Sequence, residues 1–238
     1  MNKSQTASNS RHEITGRVPF EIKTEWRAWC NGYPETSLPL IVYLHGYGEN
    51  IERFRKQTQT IQGLHAWHLF ISGPYPLPHP GMKNRGFSWY IYDGADSDFV
   101  RELQNATNFV ETVVEEFRNY VDHKPYALAV VGFSMGAYLA GYWALFGQKP
   151  PDYVAACAGR IKTELLKPDS DLQDKSQQIM AFHGKEDPYV KGERQEKAIE
   201  ELKGYGLHAE IRWLNCGHQM SGEMEEAVSE WLSDKINY

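Results

Sequence analysis

The sequence is poor in cysteine. Its 238 residues include only Cys30, Cys157 and Cys216, an odd number with no C-x-x-C or other metal-type spacing. That excludes a disulfide framework and a cysteine-built zinc site, leaving reduced, mostly buried thiols as the expectation. No Lys/Arg-rich run is present: 31 acidic and 25 basic residues are dispersed along the chain, for a formal net charge of -6. Without a basic stripe to neutralise phosphates, nucleic acid is excluded as an expected partner. No apolar run approaches the roughly 20 residues that cross a bilayer, so no membrane span is expected. Residues 1–10 are polar and lack the apolar stretch of a secretory signal, which makes the cytoplasm the expected compartment. Repeats and low-complexity linkers are also missing, so the reading is a polar leader over 1–19 and a single domain over 20–238.

What is present is an ordinary globular composition, 41% hydrophobic and 24% charged, which predicts a compact fold. Residues 20–26 put Phe20, Ile22, Thr24 and Trp26 on one face and charges on the other, the pattern of an edge strand. Residues 40–44 and 69–71 are short apolar runs that end in turns, as buried strands do. Four prolines between Gly73 and Gly81 exclude helix interior and central strand there and predict an ordered surface loop. Over 99–121, Phe99, Leu103, Ala106, Val110, Val113, Val114 and Phe117 recur at three- and four-residue steps, predicting a helix with Ser97 or Asp98 as N-cap. Strands follow over 127–131, 154–158, 179–182 and 209–214, with helices over 135–146, 192–203 and 222–235. Alternating strands and amphipathic helices predict an α/β fold: a mostly parallel central sheet with helices on both faces.

Gly132-Phe133-Ser134-Met135-Gly136 matches G-x-S-x-G and lies between an apolar strand and a helix, the context in which that pattern carries a nucleophile in α/β-hydrolases. A serine on a sharp strand-to-helix turn needs residues without Cβ two positions to either side, and Gly132 and Gly136 supply them. The helix N-terminus directs its positive dipole at Ser134.

A serine hydroxyl is a weak nucleophile until an imidazole, itself oriented by a carboxylate, takes its proton. In this fold the chain order is Ser, Asp/Glu, His. Downstream, His218 follows the strand over 209–214 and precedes the last helix, which makes it the candidate base. Asp187, in the loop after the strand over 179–182, is the candidate acid, with Glu186 as runner-up. Both loops lie at the edge of the sheet where functional groups of such folds collect. His183 closes a strand and His208 opens one, so structural or supporting roles suit them better. The oxyanion-hole candidates are the main-chain N–H groups of Met135 and of Tyr47, in the loop His45-Gly46-Tyr47-Gly48. Trp89, Tyr90, Tyr47 and the proline-rich loop are candidates for an apolar substrate cleft, against the plainer reading of aromatic packing. His65 and His68 lack a third ligand and are read as surface or packing residues rather than a metal site.

Several segments in order resemble the phospholipase/carboxylesterase family, which includes acyl-protein thioesterases and small bacterial carboxylesterases. They are Leu44-His45-Gly46-Tyr47-Gly48, Gly86-Phe87-Ser88-Trp89-Tyr90, the Gly132–Gly136 motif, His183-Gly184-Lys185-Glu186-Asp187 with Val190, and Gly217-His218 before Glu230-Trp231-Leu232. The resemblance implies an α/β-hydrolase fold, a Ser134–Asp187–His218 triad and an oxyanion hole from Tyr47 and Met135. It also implies Trp89 near the acyl or alcohol pocket, and no metal or organic cofactor. Two positions depart from the family pattern: Met135 stands where Gln is common, and Glu49 where Asp is common. The expected activity is hydrolysis of a small-molecule or lipid carboxylic ester or thioester. A serine peptidase acting on short peptides, or a non-catalytic binding protein on the same fold, are the alternatives. The sequence carries no signal for oligomeric state or acyl-chain length.

Overall fold

The computed structural model describes residues 16, 18, 21–31, 33, 37–78, 85–92, 96–122, 124–167, 176–220 and 222–236. The expected leader thus lies almost wholly outside the described residues. The strands are β1 (Trp26–Cys30), β2 (Leu40–Leu44), β3 (Trp67–Ile71), β4 (Tyr75–Pro76), β5 (Phe87–Ser88), β6 (Leu128–Phe133), β7 (Tyr153–Cys157), β8 (Gln178–Gly184) and β9 (His208–Leu214). The helices are α1 (Ile51–Gln57), α2 (Asp96–Val121), α3 (Met135–Phe146), α4 (Gly192–Gly204) and α5 (Glu223–Ile236). Seven strands form one sheet of order β1-β3-β2-β6-β7-β8-β9, parallel throughout except for β1.

Every residue of β2 and β6 is buried, as parallel strands covered on both faces require. Their alternation divides the core. Leu40, Val42 and Leu44 pack with α2, α3 and α4 on one side, and Ile41 and Tyr43 pack with α1 and α5 on the other. Each such side chain contributes about 1.5–3 kcal/mol through removal from water. Because the strands from β2 to β9 in the sheet run parallel, their C-terminal ends share one edge. The loops that carry His45, Ser134, Asp187 and His218 leave from that edge.

The edge strand is displaced from its expected place. Strand β1 starts at Trp26, where the expected strand ended, and runs antiparallel to β3. Pairing and packing decide this: Trp26 and Ala28 reach one core and Trp29 the other. Residues 21–25 only clip the chain in place, Glu25 O accepting from Ser72 N at 2.9 Å and Thr24 Oγ1 donating to Ser72 O at 2.9 Å. Helix α2 begins at Asp96, so Ser97 and Asp98 lie within its first turn instead of capping it. The proline-rich segment, described as far as residue 78, contributes Tyr75 and Pro76 to a two-residue ribbon with β5, a peripheral position that proline tolerates. Helix α1 was not expected; the Asn50 side chain caps it by accepting from Arg53 N at 3.0 Å.

Candidate active site

Ser134 occupies the single-residue turn between β6 and α3 with φ 51° and ψ -113°, a conformation that L-residues rarely adopt. Close packing holds it there. A Cβ on Gly132 would come within 2.4 Å of Gly136 O, and one on Gly136 within 2.0 Å of Leu44 O. Gly159, after β7, closes the other side: a Cβ there would lie 2.8 Å from Ser134 O. The turn is tied to the sheet by Ser134 N donating to Cys157 O at 2.9 Å, and to α3 by Ala137 N donating to Ser134 O at 3.0 Å.

The structure brings His218 and Asp187 to this serine. Asp187 Oδ2 lies 2.7 Å from His218 Nδ1, and a carboxylate only accepts, so the proton sits on Nδ1. His218 Nε2 then accepts from Ser134 Oγ at 2.9 Å. The second carboxylate oxygen accepts from Tyr189 N at 2.9 Å and Val190 N at 3.0 Å. Burial raises the Asp187 carboxyl, but the hydrogen bonds from Val190 N, His218 and Tyr189 N outweigh it and hold the group below the usual carboxylate range. The imidazole is wedged between Phe133 and Tyr189, with ring centroids 5.0 and 5.2 Å away. Glu186, the runner-up acid, is exposed, and its N–H donates to Cys216 O.

The loop after β2 sits against the serine turn, with Gly46 packed on the Phe133 ring. His45, 1% exposed, donates from Nδ1 to Gly46 O at 2.7 Å and accepts from Gly73 N at Nε2. Burial lowers its pKa to about 4, keeping the ring neutral. Glu49 Oε2 accepts from Gly46 N at 2.8 Å, and its other oxygen accepts from Gln57 Nε2 at 2.9 Å. Gly48 has φ +76°, a conformation open to glycine, and its N–H donates to Phe87 O. Among the described residues, neither Tyr47 N nor Met135 N, the first N–H of α3, has a main-chain acceptor.

Trp89 does not line an open cleft: it is completely buried, and its Nε1 donates to His45 O at 2.7 Å. Tyr90 is also buried, its ring edge-on to Phe99 and its carbonyl accepting from Ser88 Oγ. Trp89 thereby braces the loop after β2. The exposed aromatics at the rim are Tyr47, 65% accessible, and Tyr189, 80% accessible. Sequence reasoning missed Tyr189, and also the loop-fixing roles of His45 and Glu49. The H-G-x-G-E run offered a signal for the last two, since a carboxylate three residues beyond a glycine reaches back to its N–H.

The other described histidines and the thiols lie outside the proposed triad, with His183 adjoining it. His183 Nε2 donates to Val190 O at 2.9 Å, so it braces the chain that binds Asp187. His68 is buried, accepting from Tyr43 O–H and donating to Leu64 O, whereas His65 and His208 are exposed. Cys157 and Cys216 are buried and free, and Cys30 is partly exposed. No described helix is long and apolar enough to cross a membrane.

No curated protein sequence matches the chain. The fold has many solved relatives. Esterase PE8 superposes with a TM-score of 0.69 at 20% identity, covering 90% of this chain and 100% of its own. A Bacillus cereus carboxylesterase gives 0.68 at 18% identity, covering 90% and 94%. Zea mays acyl-protein thioesterase 2 gives 0.62 at 21% identity, covering 88% and 99%. At these identities the likeness shows a shared fold. The sequence model of the Phospholipase/Carboxylesterase family matches residues 32–236, nearly the whole described chain and all of the site above. The chain therefore belongs to the phospholipase/carboxylesterase family of α/β-hydrolases.

Proposed function

We propose that the chain is a serine hydrolase of carboxylic esters or thioesters, with Ser134 as nucleophile, His218 as base and Asp187 as acid. The observation that carries this reading is the unbroken hydrogen-bond relay from Ser134 Oγ through both ring nitrogens of His218 to Asp187, built on a strained turn. His218 Nε2 takes the hydroxyl proton as Oγ attacks the acyl carbonyl, and the Tyr47 and Met135 N–H groups receive the negative charge that develops on the carbonyl oxygen. Collapse of the tetrahedral adduct expels the alcohol or thiol, which takes the proton from His218 and leaves an acyl-Ser134 ester. Water, deprotonated by the same nitrogen, then releases the carboxylic acid and restores the serine. The ionised Asp187 stabilises the imidazolium in both halves.

The names of the esterase and thioesterase neighbours agree with a small-molecule or lipid ester substrate. The test is turnover of nitrophenyl esters of graded acyl length, a thioester and a peptide amide, with Ser134→Ala as control. Ester or thioester hydrolysis abolished by that substitution supports the reading. Amide cleavage as the main activity would favour a peptidase, and equal inactivity of both proteins a binding role.

A further inference from the structure

Beside the serine turn lies a cleft of about 220 Å³ lined by Tyr138, Arg160, Tyr189, Val190, Lys191 and Arg194. Three of the six are cations and none is acidic, in a chain whose net charge is -6. Three of its lining residues neighbour the proposed reaction centre. Tyr138 N donates to Ser134 O, Tyr189 stacks edge-on against His218, and Arg160 follows Gly159, which packs on Ser134 O. Arg194 and Lys191 are exposed and have no carboxylate within 4.0 Å among the described residues. Arg160 does meet Glu164, Nη2 to Oε2 at 2.6 Å, but Lys162 Nζ shares that carboxylate at 3.2 Å, so the local charge stays positive. The enclosed Arg160 Nε has no acceptor among the described residues.

We propose that this cleft binds an oxyanionic group of the substrate, a carboxylate or phosphate monoester, and so selects anionic esters over neutral ones of the same length. This rests on the hydrolase reading and deepens it. Arg194, with no carboxylate partner among the described residues, can offer its guanidinium fork to two acceptor oxygens, while Lys191 and Arg160 add positive charge beside it and Glu164 is offset by Arg160 and Lys162. The same positive field concentrates anionic substrates at the mouth of the site.

The test compares nitrophenyl monoadipate with nitrophenyl hexanoate, and 4-carboxyphenyl and 4-phosphonooxyphenyl hexanoate with phenyl hexanoate. The first comparison puts the charge on the acyl side and the others put it on the alcohol side, as carboxylate or phosphate. The readout is the anionic-to-neutral ratio of kcat/KM, whose change on substitution cancels intrinsic differences in reactivity. For at least one pair, Arg194→Glu lowers that ratio about tenfold or more. Lys191→Glu lowers it as well, Arg194→Lys retains most of it, and added salt reduces it in the unmodified protein. Lys203→Glu, the same charge change at the far end of α4, leaves it unmoved. If Arg194→Glu and Lys203→Glu move every ratio equally, or neither moves any while ester turnover still depends on Ser134, the subsite is overturned and the hydrolase reading stands. If no ester is turned over by a Ser134-dependent route, both fall.

Discussion

Ser134 and the Asp187–His218 pair reach one sheet edge by different physical means. The serine is placed by main-chain packing. A glycine on each side lets α3 sit against β2, and the positive φ of Ser134 follows from that contact. The proposed acid and base are placed by hydrogen bonds in loops, with Asp187 held by two N–H groups and a histidine, and His183 bracing the chain behind it. The first arrangement resists any change of volume. The second resists change of charge or hydrogen-bonding type and has room only locally: a Cβ on Gly217, next to His218, meets nothing nearer than 3.7 Å, whereas one on Gly184, where the Asp187 loop begins, would lie 2.3 Å from Cys216 O.

The largest expected effects act on chemistry. Ser134→Ala is expected to lower kcat for ester hydrolysis by up to about a millionfold. Asp187→Asn retains the shape but gives His218 the wrong tautomer, a loss of about 10⁴-fold in kcat with a small change in KM. Steady-state kinetics on one nitrophenyl ester checks both.

Gly136→Val separates the two regions next. Its Cβ would overlap Leu44 O at 2.0 Å, against main chain that cannot give way, so the variant is expected to lose cooperative thermal unfolding. Gly217→Ala, by contrast, is expected to change stability by less than about 1 kcal/mol. Equal sensitivity of the two positions would erase the distinction drawn between them.

Glu49→Leu frees the Gly46 N–H and loosens the loop that carries Tyr47 N. Since loss of one oxyanion donor costs about 10²–10³-fold, kcat is expected to fall up to about a hundredfold, with Glu49→Gln milder. A KM effect without a kcat effect would place Glu49 in ground-state binding instead.

Stability against pH is expected to change as well. His45 and His68 have folded pKa values lowered to about 4 by burial, against an ordinary 6.5. Between those values the unfolded chain binds more protons, so stability is complete above about pH 6.5 and is lost as pH falls toward 4. Melting temperature is expected to decline across that window, and less steeply in His68→Gln, which also melts lower at pH 7.

Much of the fold was legible because its elements are locally consistent. The apolar run of β6, the small residues of α3 and the three-and-four spacing of α2 each point to one conformation. Strand β1 was misplaced because charges alternate with other residues before Trp26, over 21–25, while Ala28-Trp29-Cys30 after it does not alternate, and only pairing with β3 selects the register. Helix α1 is seven residues long, too short for periodicity to declare it. Within the site, Ser134, Asp187 and His218 stand in motifs, each at the end of a strand. Trp89 was expected at a pocket, but its contact is with a main-chain carbonyl of a loop distant in sequence, which no local pattern encodes. The cationic cleft was invisible for the same reason, since Arg160 comes from the loop after β7 and Arg194 from the first turn of α4.

The most direct test of the central claim is mass spectrometry of the intact protein quenched during turnover of a nitrophenyl ester, followed by peptide mapping. The account predicts one acyl group on the peptide containing Ser134, absent in Ser134→Ala, which also loses turnover. Steady ester turnover in Ser134→Ala, or an acyl adduct at another residue that forms and decays at the rate of turnover, would contradict it.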